Sequence, residues 1–136
     1  MAGFRAMCVQ FLRERMVSFR CAFRGMRLLV GGQTNARIHA AATLLVLLLG
    51  FWLRLASAQW GLLLLALALV WVAEALNTAI ERLTDLVSPE YRPLAGEVKD
   101  LAAAGVLLAA LGASGIAVAV FGPALLAAAA ASGSGG

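Results

Sequence analysis

Three long stretches of this chain carry no formal charge: residues 38–53, 55–73 and 101–136. Arg54 separates the first two, and a polar block over 74–100 separates the second from the third. Each stretch approaches or exceeds the ~20 residues that a helix needs to cross ~30 Å of hydrocarbon. The first is slightly short, and Arg54 can snorkel to the interface to lengthen it. A soluble domain of 136 residues has no interior for a chain that is 62% hydrophobic and 13% charged. Backbone polar groups in lipid must be satisfied within their own segment, so the runs are predicted to be helices. The expected architecture is an all-α membrane protein forming a single membrane domain over 1–136. It comprises a surface helix at 4–31, spans at 36–54, 60–87 and 97–122, and a low-complexity tail without function at 124–136.

The leader has its own pattern. Phe4, Met7, Cys8, Phe11, Leu12, Met16, Phe19, Phe23, Met26 and Val30 recur at spacings of three and four, while Arg13, Arg20, Arg24 and Arg27 gather on another face. Such a helix lies in the membrane interface. Gly31-Gly32 ends it, and Thr34 or Asn35 offers an N-cap for the next helix. A basic leader, an apolar run and Ala56-Ser57-Ala58 together imitate a secretory signal peptide, but the leader is too long and too patterned for one. Cys8 and Cys21 have no CxxC spacing and read as reduced thiols.

Cations set the expected orientation. Seven arginines from Arg5 to Arg37 precede the first span, and Arg82, Arg92 and Lys99 lie between the second and third. The positive-inside rule then puts the N-terminus and the 82–100 segment in the cytoplasm and the C-terminus outside. A net charge of +4 reads as attraction to anionic headgroups or a phosphorylated substrate, and so little soluble surface argues against nucleic acid.

The second run ends in Glu74-x-x-Asn77-x-x-x-Glu81-x-x-x-Asp85. On a helix these offsets share one narrow face and form a polar stripe about 16 Å long. Ionisable groups at membrane depth are a functional-site hypothesis by default. Glu74 lies deepest and suits a general base. Glu81 and Asp85, nearer the cytoplasm, suit Mg2+, which accepts one or two protein carboxylates and takes its other ligands from water and phosphate. Lys99, followed by Asp100, supplies a cation for phosphate oxygens. A base, a metal position, an amide and a cation are the parts a phosphoryl transfer needs. No GxxxxGK[ST] loop and no protein-kinase glycine loop is present. The chemistry alone leaves open a small transporter or channel subunit that uses Glu74 to exchange protons or cations. A non-catalytic assembly protein would leave the pattern over 74–100 unexplained. Three helices cannot shield the stripe fully from lipid, so oligomerisation is expected.

The segment EALNTAIERLTDLVSPEYRPLAGEVKDLAAAGVLL, residues 74–108, resembles the signature region of the prokaryotic diacylglycerol kinase family, which includes undecaprenol kinases. The shared pattern is E-x-x-N-x-x-x-E-x-x-x-D, then E-Y-x-x-L-A and K-D. Weaker similarity runs upstream through Ser18-Phe19-Arg20, Phe23-Arg24-Gly25 and Asn35-Ala36-Arg37-Ile38-His39, so the resemblance covers about 18–120. It implies three transmembrane helices and a surface helix per subunit, a homotrimer in the bacterial cytoplasmic membrane, and active sites at subunit contacts. It also implies transfer of the γ-phosphoryl group of MgATP to a lipid hydroxyl, diacylglycerol first and undecaprenol second. Carried over by position, Glu74 is the base, Asn77 orients the hydroxyl and Glu81 binds the metal. Lys99 and Asp100 contact the nucleotide, Asp85 supports the polar network, and Arg20 reaches a phosphate.

Two positions depart from the family pattern. Gln33 stands where a metal-binding glutamate is usual, and can offer a carbonyl oxygen but no charge. Arg92 stands where histidine is common. His39, the one histidine of the sequence, is expected to pack at the interface, because no second ligand lies within reach along the chain.

Overall fold

The computed structural model describes residues 2–90 and 92–133, and their side chains except those of 2–6, 8, 9, 12, 128 and 131–133. The side chains of Arg5 and of Phe4, Cys8 and Leu12 of the leader pattern, together with Tyr91 of the signature and the last three residues of the tail, therefore lie outside what is described. Four helices and no strands make up the described residues: α1 (Ala2–Gly32), α2 (Thr34–Trp52), α3 (Ser57–Val87) and α4 (Pro93–Gly133). Three of them, over Thr34–Trp52, Ser57–Val87 and Pro93–Ala127, are long and apolar enough to cross a membrane. The chain divides into two compact units, Met1–Thr34 and Asn35–Gly136.

The first unit is the helix α1, ending at the Gly31-Gly32 pair. Phe11, Met16, Phe19, Phe23 and Met26 are exposed on it, as are Arg13, Arg20, Arg24 and Arg27. The Arg15 guanidinium lies 5.3 Å from the centre of the Phe11 ring, a cation–π distance.

In the second unit the turns explain where the helices stop. α2 ends at Trp52, two residues before Arg54, because Arg54 adopts a left-handed backbone with φ 53°. Its N–H bonds the Phe51 carbonyl at 3.2 Å, and the Leu55 N–H reaches back to Gly50 at 3.2 Å. That pair of bonds is a Schellman closure with arginine where glycine usually stands. α3 starts at Ser57, three residues earlier than expected, where the Ala56 N–H donates to Gln59 Oε1 at 2.9 Å. It ends at Ser88, whose N–H donates to the Thr84 carbonyl at 2.8 Å and whose hydroxyl donates to the Glu90 carbonyl at 3.1 Å. Pro93 then opens α4, a first-turn position that needs no N–H. α4 passes through Pro123 into the expected tail and stays helical to Gly133, since the alanines beyond 126 are the strongest helix formers.

α3 and α4 pack antiparallel, joined near one end by Asp85 and Lys99 and near the other by Leu63, Val120 and Phe121. Val46 and Leu49 of α2, with Leu53 just past its end, close over that apolar end. Trp60 sits there too, its ring centre 4.8 Å from that of Phe51. A methyl group on Gly50 would come within 2.7 Å of the Trp60 ring, so only glycine fits. Gly50→Ala is expected to lower stability by about 1–3 kcal/mol through overpacking. Denaturation of the purified protein in detergent checks this, and an unchanged midpoint would mean that the ring swings aside.

The small residues of α4 do not all serve this packing. Val106 and Ala109 are buried in the unit, whereas Gly105, Gly112 and Gly115 have no atom within contact range of a built methyl group. The large apolar side chains Leu44, Leu48, Leu62, Leu65, Leu107 and Leu108 point outward, as residues facing acyl chains do.

Candidate active site

α3 is the element that builds the site. Its 31 residues extend about 46 Å at 1.5 Å per residue, well beyond the ~30 Å of hydrocarbon. With Trp60 at one interface, Glu74 lies roughly two turns inside the other, Glu81 lies near it, and Asp85 projects past it.

Burial follows the same gradient. Glu74 is 1% exposed, Asn77 and Thr78 are buried with it, Glu81 is half-buried, and Asp85 is exposed. Glu74 Oε2, Asn77 Oδ1 and Thr78 Oγ1 are buried without hydrogen-bond partners. Leaving such groups dry and unpaired costs roughly 1–3 kcal/mol each, and more for a charge. Three of them side by side, on a helix that could have carried leucines there, make this stretch of α3 the candidate site for a ligand.

The structure brings some of the expected residues together. Asn77 Nδ2 donates to Glu81 Oε1 at 3.2 Å, which orients both side chains and leaves the amide oxygen free. The Lys99 ammonium at the start of α4 hydrogen-bonds and pairs with Asp85 Oδ1. Both groups of that pair are substantially exposed, so the pair adds little to stability and its value lies in where it holds the cation. A recess of about 310 Å3 beside it is lined by Thr84, Asp85, Ser88, Glu90, Arg92 and Lys99, among others. Asp100, next along α4, is exposed. Arg20 and Gln33 belong to the first unit, Arg20 exposed on α1 and Gln33 half-buried after it.

Two residues at the site were not expected from the sequence. Thr78 is one helical turn past Glu74 and one residue past Asn77, so the stripe could have been read as including it. His39 could not have been found that way, because its neighbour is on another helix. Its Nε2 lies 4.0 Å from Glu74 Oε2, an ion-pair separation and too long for a hydrogen bond. The contact comes in addition to the interfacial or packed role expected for His39. α2 is held in register there by a short relay in which Trp71 Nε1 donates to Thr43 Oγ1 at 3.1 Å and the Thr43 hydroxyl donates to the His39 carbonyl at 2.7 Å.

Among the described residues no three His, Cys, Asp or Glu side chains cluster as a protein-built metal cage. Mg2+ does not need one, since it commonly keeps its waters and takes one or two carboxylates together with substrate phosphates. The Glu81 carboxylate and the unpartnered Asn77 carbonyl are hard oxygen donors of the right kind, so the residues fit that ion.

Residues 20–121 match the family described as prokaryotic diacylglycerol kinase. The chain belongs to that family. Its relatives include the undecaprenol kinase of Bacillus subtilis, 37% identical over 94 residues that span 69% of this chain and 76% of that protein. The diacylglycerol kinase of Synechocystis is 40% identical over 99 residues, 72% of this chain and 57% of that protein. The diacylglycerol kinase of Escherichia coli K12 is 33% identical over 88 residues, 65% of this chain and 72% of that protein. Membership in the prokaryotic diacylglycerol kinase family makes this chain a lipid kinase and decides against the transporter and assembly-protein readings of the chain.

Proposed function

We propose that this chain, a lipid kinase by its family, transfers the γ-phosphoryl group of MgATP to the hydroxyl of a membrane lipid, diacylglycerol first and undecaprenol second. The observation that carries this reading is the buried, unpartnered Glu74 carboxylate at the membrane end of a polar stripe whose other end is wet. A lipid hydroxyl stays near the interface and a nucleotide stays in water, so the stripe meets both. Glu74 accepts the hydroxyl proton, and Asn77 orients the hydroxyl from the next turn. Glu81 holds the metal with the Asn77 carbonyl near it. Gln33 adds a neutral oxygen ligand where a charge is usual, and Arg20 reaches a phosphate. Asp85 fixes Lys99 beside the recess, where Lys99 and Asp100 meet the nucleotide. Bound Mg2+ neutralises charge on the phosphate oxygens. Phosphoryl transfer asks little covalent chemistry of a protein beyond such positioning.

The undecaprenol reading is favoured by the Bacillus relative and the diacylglycerol reading by the others. α1, with its aromatic and arginine faces, lies at the cytoplasmic interface of the bacterial inner membrane, and the C-terminus lies outside. The subunits form a homotrimer. Support comes from Gly105, Gly112, Gly115 and Gly122, which fall on one side of α4 and have open space where a neighbouring helix could approach closely. Purified protein with labelled ATP and either lipid in mixed micelles tests the assignment. Label is expected in diacylglycerol, with undecaprenol as the second acceptor; no lipid-borne label from either would overturn it.

A further inference from the structure

Glu74 can take a proton from a lipid hydroxyl, but at 1% exposure it is almost fully enclosed by its own chain, so a neighbouring group is needed to hand that proton on. Each turnover forms the lipid O–P bond, breaks the ATP β–γ phosphoanhydride bond and leaves the hydroxyl proton on the base. A second turnover requires that proton to leave. The side chain 4.0 Å from Glu74 Oε2 is the His39 imidazole, which is less enclosed by its own chain (18% against 1%) and lies two residues after the exposed Arg37, near the start of α2.

We propose that His39 is a positioning and proton-relay residue for Glu74. Its Nε2 faces Oε2, a carboxylate oxygen that is buried without a hydrogen bond, from the α2 side. After transfer, the proton on Glu74 passes to Nε2, and the imidazole releases a proton from Nδ1 to water. Closing the gap takes about 1 Å, because a hydrogen bond needs ~2.7–3.2 Å between these atoms. The chain prepares that movement on the imidazole side. The backbone under His39 is clamped by the Thr43 and Trp71 hydrogen bonds, so the side chain moves and the helix does not. Beyond His39 a cavity of about 140 Å3 lies between α2, α3 and α4. Its other lining side chains include Thr43, Val70, Ala110 and Ser114, and none carries a charge that would compete for Glu74. The charged groups closest along the two helices are Arg37, which has an interaction of its own, and Glu81, which Asn77 engages. Lys99 of α4 is taken by Asp85.

This inference rests on Glu74 being the base, and the test separates the two. In the full-length enzyme in mixed micelles, His39→Gln is expected to lower kcat by about 10- to 100-fold while leaving the lipid KM within about twofold. In His39→Ala, imidazole added to the assay is expected to restore a large part of kcat. Pyrazole has the same shape but is a far weaker base, and is expected to restore none. Wild-type kcat in His39→Gln, in an enzyme that Glu74→Gln inactivates, would overturn the relay and leave the base assignment standing. Equal rescue by pyrazole would show that His39 only fills space, and would overturn it too. Full activity of Glu74→Gln would remove both. If His39→Gln fails to assemble, the imidazole and pyrazole comparison on His39→Ala decides alone.

Discussion

Glu74→Gln is expected to lower the turnover of lipid phosphorylation by about 10²- to 10⁴-fold, the range over which a positioned general base contributes. The amide keeps the shape of the carboxyl group, so helical content and oligomeric state should match the parent. Stability should not fall and should rise slightly. The substitution takes an unpaired ionisable group out of a buried position where Oε2 has no hydrogen bond, and removing such a group relieves a desolvation penalty. Loss of activity together with equal or higher thermal stability is the signature of a residue kept for chemistry at the expense of the fold. Steady-state turnover and thermal denaturation on the same preparation check it. Near-wild-type turnover would sink Glu74 as the base.

The second large effect concerns Glu81. Glu81→Gln retains an oxygen that can still accept from Asn77 Nδ2, as Oε1 does now at 3.2 Å, but it removes the charge. The Mg2+ concentration for half-maximal activity is expected to rise by about 10- to 100-fold or more, the scale on which altered metal surroundings act. Glu81→Ala removes the acceptor as well, leaving the Asn77 amide without it at a further loss of about 1 kcal/mol in stability. If the two variants share a shifted metal titration and differ in stability, charge and hydrogen bond have separate duties at this residue. An unchanged titration in both takes Glu81 out of the metal site.

How far the sequence reached depends on whether the physics was local. Uncharged runs dictate helices in lipid regardless of what they touch, so three long apolar helices follow from hydropathy alone. The 74, 77, 81, 85 stripe is periodic within one helix, and the Asn77 to Glu81 bond is a consequence of that spacing. Lys99 meeting Asp85 needed only that α4 fold back on α3. What escaped was set across helices. His39 lies 35 positions from Glu74, and nothing in its neighbours along the chain announces the contact. Nor can composition say which side of α4 its own chain covers and which of its glycines stay open. The extension of α4 past Pro123 was missed because repeated alanine reads as low complexity, although the same alanines propagate a helix well.

The length of α3 has one more effect. Over the eleven residues from Glu74 to Asp85 a single rigid rod descends about 16 Å, from a dry carboxylate to a wet one. Under the proposed roles the triphosphate spans that interval, with the nucleotide held at the wet end by Asp85 and Lys99 and the terminal phosphoryl brought to the alcohol beside Glu74. The enzyme then need not carry the greasy alcohol into water.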